Sequence, residues 1–187
     1  ANMLNEMGAC VQGAGTSTIV VHGVALSDMH PCEHWVVGGR IEAGTYLTAG
    51  ALLGGPITVE GIDPEFLRTV LMKFEEMGAN VSTTEDSITV SRTEPLRPTD
   101  IQTLPHPGCP TDMQAQFSVL AAFADGCSVV SENIFANRFM FAAELNRMGS
   151  DIRLDGHHAL IHGVSGLQGA PVSSPDLRGG AALVIAG

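Results

Sequence analysis

One short pattern returns at a fixed interval along this chain. Glu6-Met7-Gly8-Ala9, Glu76-Met77-Gly78-Ala79 and Arg147-Met148-Gly149-Ser150 are spaced 70 and then 71 residues apart. Each follows an apolar helical pattern and precedes a β-like run: Thr18–His22, Ser87–Val90 and Ala159–His162. Upstream, Gly54–Glu60 aligns without a gap on Asp125–Ser131. A period this long means one supersecondary unit used several times. By this register the chain opens inside the second helix of one unit and closes inside the first helix of another.

The middle unit gives the order of elements. Ala43–Leu53 is a small-residue apolar helix ended by Gly54-Gly55, and Ile57–Glu60 alternates as a strand. Asp63 and Pro64 open a second helix, as N-cap and first helical residue. Phe66, Leu67, Val70, Leu71, Phe74 and Met77 form its apolar stripe, Lys73, Glu75 and Glu76 face out, and Gly78 closes it. Val81–Thr83 and Ile88–Val90 make a hairpin. With a lead-in strand near Trp35–Val37, the order is β-α-β-α-β-β.

The next unit repeats it: Thr111–Phe123, Val129–Glu132, Phe139–Met148, then Ile152–Leu154 with Ala159–His162. The units span about 38–92 and 110–164, with a truncated one over 172–187. Ala25–His34 and the proline-rich Glu94–Pro110 read as linkers. The first helices, apolar nearly all round, are expected to pack together inside, with the amphipathic second helices outside. The fold class is therefore α/β (α+β), built from repeated units.

Composition narrows the function. The 187 residues carry a formal net charge of −11, which argues against nucleic acid and anionic membrane as partners. No apolar run is long enough to span a bilayer. The four cysteines form no CxxC pair and suit a reducing compartment. His30, Cys32 and His34 alternate around Pro31 without the second ligand pair a zinc site needs.

Chemistry-bearing residues gather at the starts of the first helices: Gly38-Gly39-Arg40-Ile41-Glu42, Pro110-Thr111-Asp112-Met113-Gln114 and Pro175-Asp176-Leu177-Arg178-Gly179-Gly180. Pseudo-symmetry would bring these N-termini to one face, where backbone amides and arginines suit a carboxylate or phosphate. Structural readings stand beside this one. Thr111–Gln114 is a capping box by pattern, and Asp176 is a helix cap. Arg40 and Arg178 read equally as solvated charges. Gly179-Gly180 weakens a helix and points to a packing or ligand demand. Cys109 is a nucleophile or a small buried apolar residue.

These residues resemble a family. Pro107-Gly108-Cys109-Pro110-Thr111-Asp112-Met113-Gln114-Ala115-Gln116-Phe117 is similar to a signature of the bacterial enolpyruvyl transferases that act on UDP-N-acetylglucosamine. Glu132-Asn133-Ile134-Phe135-Ala136-Asn137-Arg138-Phe139, Arg40–Tyr46 and Asp176-Leu177-Arg178 resemble three more of its motifs, in the family's order. The resemblance implies two domains, each an inside-out α/β barrel of three units, here incomplete. Residues 1–37 would be the tail of the first domain and 38–187 most of the second.

The implied reaction moves the enolpyruvyl group of phosphoenolpyruvate to the sugar 3′-hydroxyl of UDP-N-acetylglucosamine, through a tetrahedral intermediate and without metal or organic cofactor. It opens peptidoglycan synthesis, a cytoplasmic pathway that underlies cell shape and division. Carried over, Asp112 faces the hydroxyl as base or orienting group, Thr111 and Ile134 line the sugar-nucleotide site, and Arg138 and Arg178 hold phosphoenolpyruvate. The family's lysine, mobile-loop Cys or Asp, and last arginine have no counterpart here. The chain would thus need the missing half of the enzyme, and alone is expected to be inactive. Departures are Gly39 for Asp, Ala136 for Glu, Cys109 for a different apolar residue, and Gly179-Gly180. Two alternatives remain: a non-catalytic binding module, and the related transferase whose acceptor is shikimate 3-phosphate.

Overall fold

The structure is a computed structural model describing residues 1–187. It divides into two compact units, Ala1–Val37 and Gly38–Gly187. In the first, helix α1 (Asn2–Glu6) ends at Gly8, whose φ of +98° only glycine adopts readily. Strands β1 (Cys10–Gln12) and β2 (Val20–His22) then pair antiparallel. His34 Nδ1 lies 2.7 Å from Glu6 Oε2 and His30 Nδ1 lies 3.2 Å from the Pro31 carbonyl.

The second unit contains the repeats. Helix α2 (Arg40–Leu53) leads to β3 (Ile57–Glu60). Asp63 Oδ1 accepts from Glu65 N and opens a 3-10 turn over Pro64–Leu67, which feeds α3 (Arg68–Glu76). Strands β4 (Asn80–Thr83) and β5 (Ser87–Ser91) complete an antiparallel sheet of order β3-β5-β4. Ile57 faces Val90 in its register. The α3 stripe is buried at Leu67, Val70, Leu71, Phe74 and Met77, but Phe66 is exposed and Lys73 half-buried. Phe66 lies in the 3-10 turn, where the angular step per residue differs from that of an α-helix and the stripe loses phase.

The expected lead-in strand at Trp35–Val37 does not form; those residues pair with nothing and are exposed. The equivalent strand in the next repeat lies where the prolines suggested a linker. There β6 (Ile101–Gln102) runs parallel to β7 (Cys127–Ser131), with Ile101 opposite Val130. As a two-residue edge strand it tolerates nearby prolines that lack a ladder donor.

A 3-10 turn, Thr111–Met113, leads into α4 (Gln114–Ala122). After β7 come α5 (Met140–Arg147) and the hairpin β8 (Asp151–Asp155) and β9 (His158–His162). The sheet order β6-β7-β9-β8 contains the same three-strand arrangement as the first repeat. The final helix is α6 (Leu177–Ala186). The two sheets do not close into a barrel.

The first helices pack on one another, as their all-round apolar character requires. Contacts join α2, α4 and α6, and every residue of α4 is buried. Small residues set the spacing: a Cβ on Gly44 would lie 2.7 Å from Met113 Sδ. Phe74 and Phe117 lock the two repeats together with ring centroids 5.5 Å apart. No helix is long and apolar enough to cross a membrane.

Candidate active site

Asp112 lies in the 3-10 turn that opens α4, half-exposed. Arg138 Nη2 donates to its Oδ1, and Arg178 Nη2 lies 3.2 Å from its Oδ2. One carboxylate therefore carries two guanidinium groups from separate repeats, all three side chains between 22% and 34% exposed. A cation pair at that depth stays within reach of water while its field is only partly screened.

Each arginine is held by its local backbone. Asn137 takes φ +57°, a left-handed conformation that asparagine tolerates, and this reversal precedes Arg138. The Arg138 guanidinium stands 4.9 Å above the Phe135 ring. Arg178 is the second residue of α6. Asp176 caps that helix, its Oδ1 accepting from Arg178 N and Gly179 N, both at 2.8 Å. The first free amides of α6 are thus taken by Asp176, and the anion affinity here rests on the arginine side chains. Gly179 packs against Phe141, where a Cβ would come within 3.0 Å of Phe141 Cβ, so packing explains at least that glycine.

The capping box does not form. Pro110 is the N-cap, and the Thr111 hydroxyl instead donates to Glu132 Oε2 at 2.7 Å. With Pro110 at the N-cap, Thr111 lies inside the turn rather than ahead of it, and its hydroxyl proton goes to a charged acceptor. Gln114 returns no bond to the turn; its side chain is buried and Nε2 has no partner. Gln116, two residues on, donates from Nε2 to Thr45 Oγ1 at 2.9 Å and ties α4 to α2.

A cavity of about 500 Å³ opens beside Asp112. Arg40, Thr111, Asp112, Ile134, Phe135 and Arg138 line it, together with the 104–110 loop. Four of the five residues singled out for the site therefore share one cavity, and the fifth, Arg178, reaches it through Asp112. Arg40 makes no ion pair within the chain, although its position at the start of α2 fits the expected convergence of helix N-termini. An unpaired Arg40 and the Arg138–Arg178 pair give the cavity a local positive character on an acidic chain.

Cys109 lies behind the cavity rather than in it. It is 3% exposed, and burial pushes its thiol up to about 12. A thiol so far from ionising is a poor nucleophile, so Cys109 is a core residue. Two neighbours were not singled out from sequence: Phe135, under Arg138, and Glu132, which is 3% exposed and holds Thr111. An acidic residue directly after an apolar strand run was the available signal for Glu132.

The chain as a whole is similar to known proteins. The chain is 50% identical over all 187 residues to UDP-N-acetylglucosamine 1-carboxyvinyltransferase 3 of Caldanaerobacter subterraneus subsp. tengcongensis. It is 49% identical over 186 residues to UDP-N-acetylglucosamine 1-carboxyvinyltransferase of Psychrobacter sp.. It spans 44% and 43% of these relatives, under half their length. The crystal structure of the enolpyruvyl transferase NikO from Streptomyces tendae matches 97% of the chain with a TM-score of 0.85 at 28% identity, covering 44% of that structure. EPSP synthase from Acinetobacter baumannii shares the fold alone, with a TM-score of 0.62 at 18% identity over 81% of this chain and 37% of its own. The sequence profile of EPSP synthase (3-phosphoshikimate 1-carboxyvinyltransferase) matches residues 1–187, and the chain belongs to this family.

Proposed function

We propose that the protein carrying this chain transfers the enolpyruvyl group of phosphoenolpyruvate to the 3′-hydroxyl of UDP-N-acetylglucosamine, the entry to peptidoglycan synthesis, in the cytoplasm. The observation that carries this reading is the Asp112 carboxylate held by Arg138 and Arg178 at the edge of the cavity lined by Thr111 and Ile134. The names of the relatives near 50% identity favour the UDP-N-acetylglucosamine acceptor over shikimate 3-phosphate.

The chemistry asks for two things that these groups supply. The sugar hydroxyl must lose its proton as its oxygen bonds to C2 of the enolpyruvyl group, while C3 gains a proton. The resulting tetrahedral adduct then loses a proton from C3 and phosphate from C2. Asp112 orients the hydroxyl or takes its proton. Arg138 and Arg178 bind the phosphate and carboxylate of phosphoenolpyruvate and stabilise charge as the C–O bond to phosphate breaks. An incoming anion competes for the arginines that Asp112 holds, so its arrival frees the carboxylate for the hydroxyl.

In this reading residues 1–37 end one domain and 38–187 form most of the other, and groups outside these 187 residues complete the site. The test is phosphate release by the full-length protein from phosphoenolpyruvate, with each acceptor in turn. Release with UDP-N-acetylglucosamine supports the reading. Release with shikimate 3-phosphate only, or binding of both substrates without release, overturns it in favour of the related transferase or a binding module.

A further inference from the structure

We infer that Glu132 is a positioning residue that sets the hydrogen-bond polarity of Thr111, making it an acceptor toward a donor group of the nucleotide sugar. This rests on the reading above that Thr111 faces that substrate.

Glu132 is 3% exposed and contacts no arginine, lysine or histidine side chain. Its carboxylate is satisfied by donors alone. Oε1 accepts from Ile134 N at 2.9 Å and Phe135 N at 3.0 Å, and Oε2 accepts from the Thr111 hydroxyl at 2.7 Å. Its own N–H donates to the His157 carbonyl at 2.8 Å, fixing it at the end of β7. One buried side chain thus joins the turn that carries Asp112 to the loop that carries Ile134 and Arg138.

The polarity follows from proton counting. A threonine hydroxyl has one proton and two lone pairs, and a carboxylate can only accept. With its proton committed to Glu132, Thr111 can offer the cavity lone pairs alone. A ligand N–H or O–H is welcomed there and a ligand carbonyl or phosphate oxygen is not. A neutral side chain such as glutamine reverses this. Its amide oxygen would keep the two backbone N–H partners, since turning it would set an NH2 group against two donors. Its NH2 would then donate to Thr111, and the threonine proton would turn toward the cavity.

The experiment measures dissociation constants of UDP-N-acetylglucosamine for the full-length protein and its Glu132→Gln, Thr111→Val and double variants, alongside amide hydrogen exchange at Ile134 and Phe135. We expect Glu132→Gln and Thr111→Val each to weaken binding by about three- to tenfold. The double variant should bind no more weakly than Thr111→Val. Exchange at Ile134 and Phe135 should stay slow in Glu132→Gln and accelerate in Glu132→Ala, which separates altered polarity from a loosened loop. Unchanged affinity in Glu132→Gln, or losses that multiply in the double variant, would overturn the inference. So would fast exchange in Glu132→Gln, because the defect would then be structural. If the wild-type protein does not bind UDP-N-acetylglucosamine, the proposed function falls and the exchange data alone judge Glu132: equal protection in wild type and Glu132→Ala would remove even its anchoring role.

Discussion

The Arg178 guanidinium lies 3.2 Å from Asp112 Oδ2, joining residues 66 positions apart in the chain. The bond links the start of α6 to the turn before α4, so two repeats meet at one carboxylate. Arg138 occupies the other oxygen of the same group.

Asp112→Asn tests the role of that carboxylate. The pairs are partly solvated, so their loss should change folding stability by no more than about 1 kcal/mol. Turnover should fall by about 10²- to 10⁴-fold, the range for a positioned acid or base. Denaturant titration alongside phosphate-release kinetics separates the two effects, and full turnover in the variant would remove Asp112 from the chemistry.

Arg138→Ala and Arg178→Ala should each weaken phosphoenolpyruvate binding by about ten- to a hundredfold, as a charge-assisted hydrogen bond is lost. The affinity of the nucleotide sugar should change less. Titration calorimetry with each substrate decides this, and unchanged phosphoenolpyruvate affinity would contradict the assignment.

The Cys109 thiol, pushed up to about 12 from an ordinary 9.0 by burial, gives a pH signature. Above pH 9 the unfolded chain ionises this thiol and the folded chain does not. Its contribution to stability is therefore whole below about pH 9 and is lost as pH rises toward 12. Cys109→Ala should flatten this part of the stability profile. In the native protein at pH 8 a thiol reagent should label exposed Cys127 and leave Cys109 untouched.

Arg92 closes the end of α2. Its Nε donates to the Ala51 carbonyl at 2.6 Å and its Nη2 to the Leu52 carbonyl at 2.8 Å, supplying partners to carbonyls the helix leaves free. Arg92→Ala should cost about 1–3 kcal/mol in urea unfolding. Gly50, on the same helix, presses against β5, where a Cβ would lie 2.6 Å from the Val90 carbonyl oxygen. Gly50→Ala should destabilise by about 1–3 kcal/mol despite alanine's higher helix propensity, because the helix must lift from the sheet.

What the sequence determined by itself was local and periodic. The 70-residue repeat, the amphipathic second helices, the Gly54 and Gly78 stops and the two hairpins follow from patterns within a few residues, and all are present. The burial of the first helices was legible because side chains apolar on every face have nowhere else to go. Tertiary structure alone decided the rest. Where the Thr111 hydroxyl sends its proton depended on Glu132, 21 residues on, arriving with a charged oxygen. The strand at Ile101–Gln102 depended on β7 offering it an edge, whereas Trp35–Val37 stay unpaired although β3 is an edge strand of its own sheet. Arg178 could be read equally as a solvated charge until the packing of α6 on α4 carried it to Asp112. Long-range partners cannot be read from local spacing, because the same side chain takes whichever hydrogen bond the fold brings within reach.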